Sequence, residues 1–164
     1  MNPGLSIRKA DSQDQDTLWE IICPIIRTGG TYVFDPNSSR EKMLDYWIND
    51  DKITYVAEIE GGILGTFYLK ANQPDLVNHV CNAGFMVSEK ASGKGIGKAM
   101  GKFAMLEAKR LGFEAMQFNF VIKTNEKAVV LWKSLGFEVI GEIPEAYRHP
   151  LLGLVPALIM YQKL

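Results

Sequence analysis

Residues 92–98 read Ser-Gly-Lys-Gly-Ile-Gly-Lys and separate two different periodicities. Residues 79–87 before them form an apolar run of strand length, whereas Ile96, Ala99, Met100, Phe103, Ala104 and Leu111 recur at helical spacing. Glycines at such a junction allow positive φ and a close approach by a ligand. The first N–H groups of the new helix point back into the loop, where the helix dipole adds to them, so the turn is a candidate anion site. A strand that enters a helix in this way constrains the chain to an α/β layer architecture.

Three phosphate motifs compete for the stretch. The nucleotide P-loop needs glycine at 92 and a hydroxyl at 99, where this chain has Ser92 and Ala99. The dinucleotide fingerprint needs a third glycine at 98 or 100, where Lys98 and Met100 stand. What remains is Arg/Gln-x-x-Gly-x-Gly, matched by Gly95 and Gly97, with Ser92 in the opening position and Gly93 as an extra glycine. A flexible turn without a ligand is the competing reading.

The rest of the chain supplies sheet and helices in alternation. Residues 5–9 alternate as a strand. Asp11 and Ser12 are N-cap types ahead of Leu18, Ile21, Ile22, Ile25 and Ile26 at helical spacing, and Gly29-Gly30 ends that helix. Pro24 predicts a kink or split within it. Ser38 and Glu41 read as a capping box for a second helix to about Ile48. Residues 53–60 and 63–70 read as a hairpin about Gly61-Gly62, followed by a polar loop and a strand over 79–87. Downstream, residues 115–121 read as a strand and 125–135 as a helix stopped by Gly136. Two last strands, 137–143 and 157–162, are joined by an irregular segment over 144–156. The order β-α-α-β-β-β-α-β-α-β-β predicts one mixed, mostly antiparallel sheet of about seven strands flanked by about four helices, in a single domain over 1–164.

Composition narrows the partners. Eighteen basic residues against nineteen acidic give a net charge of -1, without the basic excess of a nucleic-acid binder. Cys23 and Cys81 lie far apart in apolar stretches without metal-ligand spacing, so neither a disulfide framework nor a metal is expected. Residues 1–16 show no apolar signal core and no run is long enough to span a bilayer, which predicts a cytoplasmic protein.

Past the loop stands Asn125-x-x-Ala128-x-x-Leu131-Trp132-x-x-x-Gly136-Phe137. Together with the glycine loop it resembles the GNAT superfamily of acetyl-CoA-dependent N-acetyltransferases over nearly the whole chain. The resemblance implies that Ser92, Gly93, Lys94, Gly95, Ile96, Gly97 and Lys98 receive the CoA pyrophosphate after the strand end at Met86 and Val87. It implies that Asn119, Asn125, Ala128 and Trp132 flank the pantetheine and thioester. It implies direct attack by a small-molecule amine, with no nucleic acid, membrane or metal partner and with a second copy of the chain as the expected protein partner. A non-catalytic acyl-CoA binder and a protein N-acetyltransferase are the alternatives.

Two departures from the family bear on chemistry. Ser92 lacks the guanidinium or amide of the usual first loop residue. Trp132 stands where many relatives carry tyrosine, and an indole N–H is no general acid at neutral pH. The residues proposed for catalysis are therefore His79, Asn125 and Tyr147, with His149 also considered. The acceptor is expected between residues 27–39 and 144–156, with Tyr32, Phe34, Asp35, Asn82 and Arg148 as its contacts, and Arg27 as a second partner for a carboxylate.

Overall fold

A computed structural model describes residues 4–164; residues 1–3, part of the stretch read above for a leader, lie outside it. Seven strands form one sheet: β1 (Leu5–Lys9), β2 (Ile53–Ile59), β3 (Gly62–Ala71), β4 (Val80–Val87), β5 (Ala115–Ile122), β6 (Glu138–His149) and β7 (Gly153–Lys163). Their spatial order is β1-β2-β3-β4-β5-β7-β6. Every neighbouring pair is antiparallel except β4 with β5. The helices are α1 (Gln15–Arg27), α2 (Arg40–Trp47), α3 (Ile96–Arg110) and α4 (Glu126–Ser134).

The strand period of two divides the core between the sheet faces. Tyr55, Ala57, Phe67, Leu69, Cys81 and Ala83 face α3 and α4. The intervening Val56, Tyr68 and Met86 face α1 and α2, where they meet Leu18, Ile22, Ile26, Met43 and Trp47. Trp47 also fastens the last turn of α2 to the sheet. Its indole N–H donates to Thr66 Oγ1 at 3.0 Å, and its carbonyl accepts from Thr54 Oγ1 at 2.7 Å.

Four local expectations change. Pro24 lies within an unbroken α1. The carbonyl it fails to satisfy, that of Glu20, belongs to an exposed residue, where losing a helical donor costs least. The cap of α2 is Ser39, whose Oγ accepts from the Lys42 N–H at 3.2 Å, and not Ser38. The β2–β3 turn is centred on Glu60 and Gly61, both at positive φ, one residue before the Gly-Gly pair. The segment 144–156 is no loop, since β6 and β7 run through it and turn at 150–152. Pro144 is tolerated because β6 is an edge strand, and the register shift between Ile143 and Tyr147 releases the ladder where Pro156 has no N–H to give.

Candidate active site

The cleft originates in the sheet. Strands β4 and β5 pair only at Val80↔Ala115 and Cys81↔Met116. Beyond that point β4 stays in register with β3, while β5 follows β7 through an irregularity between Phe118 and Val121. The gap between them is a cleft of about 230 Å³. Alternation along β4 turns the backbone groups of Ala83 and Phe85 toward this gap. The Ala83 N–H donates to Asn82 Oδ1 at 2.8 Å, and the Phe85 carbonyl accepts from the Tyr32 hydroxyl at 2.6 Å.

At the end of β4 the chain turns through a short 3₁₀ segment, Glu89–Ala91, into the glycine loop. Gly93 and Gly95 both have φ near +75°, and α3 opens directly after Gly95. No side chain caps α3 and its first turn carries no acidic residue, so the N–H groups of Ile96, Gly97 and Lys98 have no intrahelical partner and no competing carboxylate. Ser92, Lys94 and Lys98 are exposed around them, whereas Ile96 is buried in the core. Gly97 has a second task, since a Cβ there would lie 3.3 Å from Leu131 Cδ2 of α4. Met86 buries its side chain on the α1/α2 face and, opposite Thr66, turns its main chain to β3 and away from the gap, and half-buried Val87 packs toward α3.

Helix α4 forms the opposite wall. Asn125 is its N-cap, with Oδ1 accepting from the Ala128 N–H at 3.4 Å. Asn125, Ala128 and Trp132 all line the cleft, and Trp132 packs at ring distances of 4.8 Å from Phe85 and 4.7 Å from Phe118. Asn119 lines it from β5, its Nδ2 donating to Asn72 Oδ1 at 2.7 Å.

The far end of the cleft is aromatic. Tyr32 and Phe34, from the loop after α1, stack at 5.7 Å, and Phe34 meets Tyr46 edge-on at 4.8 Å. Asn82, Tyr46 and Tyr68 complete this end. Sequence reasoning missed both Tyr46 and Tyr68, one inside a helix and one inside a strand. One available signal was Gly84, a glycine in the middle of a strand, which marks a close approach. A Cβ at Gly84 would lie 2.6 Å from the Tyr68 ring.

Other candidates stand elsewhere. His79 is exposed at the start of β4, away from the widening gap, and its carbonyl accepts from the Glu114 N–H. Asp35 is exposed and folds back on the Asn37 N–H at 2.8 Å. Arg148 is exposed on β6, and Arg27 donates to the Pro36 carbonyl. His149 Nδ1 accepts from the Leu151 and Leu152 N–H groups at the hairpin tip. The Tyr147 hydroxyl donates to the Gly29 carbonyl and faces the Tyr32 carbonyl at 3.1 Å, so the β6–β7 hairpin braces the loop after α1 without lining the cleft. Burial pushes the Cys81 thiol up to about 12, consistent with a core thiol. Among the described residues lining the cleft there is no Asp, Glu, His, Lys or Arg.

Comparison with known proteins agrees with this architecture. The profile of the Acetyltransferase (GNAT) family matches residues 19–137. The chain is 32% identical to N-acetyltransferase aca1 of Schizosaccharomyces pombe, with 75% of this chain and 66% of that one covered, so it spans slightly under two thirds of that relative. A GCN5-related N-acetyltransferase from Kribbella flavida superposes with a TM-score of 0.94 at 37% identity over 100% of both chains. A phosphinothricin acetyltransferase from Sinorhizobium meliloti, solved in complex with AcCoA, shares the fold with a TM-score of 0.86 at 22% identity, covering 98% of this chain and 89% of that one. No helix among the described residues is long and apolar enough to cross a membrane. The chain belongs to the GNAT family of acetyltransferases.

Proposed function

We propose that this protein is an N-acetyltransferase that moves the acetyl group of acetyl-CoA to the amine of a small, amino-acid-like molecule by direct attack. The observation that carries the reading is the pairing of two features at the end of β4: the strand leads into the uncapped N-terminus of α3, and its gap from β5 opens into a pocket of aromatic side chains. In this reading the N–H groups of residues 93–98 hold the pyrophosphate, with Lys98 and Lys94 supplying the positive charge that Ser92 lacks. The Ala83 carbonyl and the Phe85 N–H, the groups of these residues that Asn82 and Tyr32 do not engage, take the pantetheine amides, and Asn125 and Trp132 flank the thioester. The related Sinorhizobium enzyme, solved with AcCoA, supports the cosubstrate. Cytoplasmic location and a homodimeric state belong to the same proposal.

The uncharged cleft bears on the acceptor. Desolvation there penalises an ammonium and favours the neutral amine that attack requires. Neither Arg27 nor Arg148 reaches the cleft, so neutral donors must recognise any carboxylate. Asn82 and Asn125 fit that role, because their oxygens accept from backbone N–H groups and leave each NH₂ as the free end of the amide. Tyr147, with its hydroxyl bonded to the acceptor loop, acts on structure, while His79 is exposed and His149 holds the hairpin tip, so replacing either histidine should cost little rate.

The test combines CoA calorimetry with thiol release from acetyl-CoA in the presence of α-amino acids and alkyl amines. Gly95→Val should abolish CoA binding, because position 95 needs left-handed backbone at the mouth of the anion site. Far-UV circular dichroism should remain native. Full CoA affinity in the folded variant, or absence of transfer to any amine, would refute the assignment.

A further inference from the structure

Three tyrosine rings line the acceptor end, but their hydroxyls are not equivalent. That of Tyr32 is committed to the Phe85 carbonyl. Among the described residues, the hydroxyls of Tyr46 and Tyr68 face only each other, at 3.3 Å. Tyr68 is 6% exposed and Tyr46 is 38% exposed, so the pair leads from the interior of the cleft to water. Tyr68 also lies against the strand that bounds the gap. A Cβ on Gly84 would stand 2.9 Å from the Tyr68 hydroxyl oxygen, which places that oxygen over β4 between Ala83 and Phe85. These are the two residues whose backbone groups face β5.

Beneath the two rings sits an ammonium. The Lys52 side chain is 2% exposed, and its Nζ lies 4.5 Å from the Tyr46 ring centroid and 5.4 Å from that of Tyr68. Asp51 neutralises it at 2.9 Å and also meets Lys70 at 3.5 Å. A buried cation shared by two ring faces fixes both rings. The strap between Trp47 and the sheet holds the helix turn that carries Tyr46.

We propose that the Tyr68–Tyr46 hydroxyl pair, set in place by Lys52, contacts the acceptor nitrogen and conducts its proton to solvent. The proposal rests on the transferase reading above. The amine enters neutral. Its nitrogen forms a bond to the thioester carbonyl carbon, and the carbonyl electrons move to oxygen. The nitrogen, now cationic and acidic, passes a proton to the Tyr68 oxygen. Tyr68 gives its own proton to Tyr46, and Tyr46 gives one to water. The C–S bond then breaks as the carbonyl reforms, and the departing thiolate takes a proton from solvent. Tyr68 and Tyr46 end as they began, after rotation of the two hydroxyls. Burial raises the Tyr68 phenol above its ordinary value, which keeps it protonated and suits a conduit instead of a fixed base. The ionisable groups around the pair are Lys52, Asp51 and, on the acceptor loop, Tyr32; Lys70 acts only through Asp51.

The experiment uses acetyl-CoA and the amine turned over fastest in the panel above, with kcat, KM, solvent isotope effect and pH profile measured for Tyr68→Phe, Tyr46→Phe, Lys52→Met and Lys52→Arg. Tyr68→Phe should slow kcat by about tenfold or more, Tyr46→Phe by less, and both should reduce the solvent isotope effect. Calorimetric acetyl-CoA affinity should stay within about twofold, as expected for loss of a proton path alone. Lys52→Met should lower kcat and alter the pH profile, and Lys52→Arg should restore part of it by keeping the cation. Tyrosine variants that both keep kcat within about twofold, or a slow Tyr68→Phe that keeps the full isotope effect, would overturn the relay and leave the transferase reading standing. Absence of transfer to any amine, with CoA still bound, would overturn both.

Discussion

Gly84→Ala tests the packing on which the aromatic end of the cleft depends. The added Cβ would lie 2.6, 2.8 and 2.9 Å from Cε1, Cζ and Oη of Tyr68. Ordinary carbon contacts begin near 3.4 Å, so the ring must move by most of an ångström. It has little room, because Trp47 packs edge-on at 5.0 Å, Tyr46 at 6.1 Å, and the Lys52 ammonium lies over its face. Overpacking of this kind costs about 1–3 kcal/mol. For a chain of 164 residues that corresponds to a fall in Tm of roughly 3–9 °C. Gly65→Ala is the internal control. Its Cβ would meet Met100 Sδ and Cε at 2.9 Å, the flexible end of an unbranched side chain, and should cost under about 1 kcal/mol. Thermal melts followed by circular dichroism measure both. Combining Gly84→Ala with Tyr68→Leu removes the ring, and the two effects should then fall short of additivity by about the size of the clash. A Gly84→Ala melt indistinguishable from wild type, or strict additivity with Tyr68→Leu, would refute the close approach.

Two further outcomes follow from the same coordinates. Asn125→Ala removes the cap of α4 and should cost about 0.5–2 kcal/mol in stability; in the proposed reading it also raises the acetyl-CoA KM, and an unaltered KM would confine Asn125 to capping. Glu107 is held at about 2, below its ordinary 4.5, first by the Arg110 guanidinium and also by the Tyr55 hydroxyl, against the opposing effect of burial. The unfolded chain therefore binds the proton more readily, so this contribution to stability is present above pH 4.5 and is lost as pH falls toward about 2. Urea unfolding across that interval should show a shallower acid loss for Glu107→Gln than for wild type, and parallel curves would contradict the assignment.

The features legible in the linear chain are those set by contacts a few residues apart. Gly93 and Gly95 adopt the positive φ that their composition suggested, α3 begins where the apolar period changes, and Gly112 and Gly136 take positive φ just beyond α3 and α4. The succession of strands and helices along the chain around the glycine loop was likewise readable from alternation and helix spacing. Breaker residues misled, because their meaning depends on tertiary context. Pro144 is harmless on an edge strand and Pro24 on an exposed helix face, and neither condition is visible in a local window. Gly97 read as a ligand-facing glycine, yet Leu131, thirty-four positions later, also requires it to be small.

The aromatic end of the cleft is where the fold alone decided. Residue types that carry charge, Asp35, Arg148 and His79, looked chemically apt, but all three stand outside the cleft. Tyr46 and Tyr68 drew no assignment from the sequence; the antiparallel pairing of β3 with β4 set Tyr68 opposite Gly84, and α2 brought Tyr46 to meet it. Register and helix placement arise from burial summed over the whole sheet, so which side chains share a pocket is a property of the assembled core. The chain determined by itself that a strand would end in a glycine-rich turn opening a helix. Only the packed structure determined which hydroxyls would face the far end of the same gap.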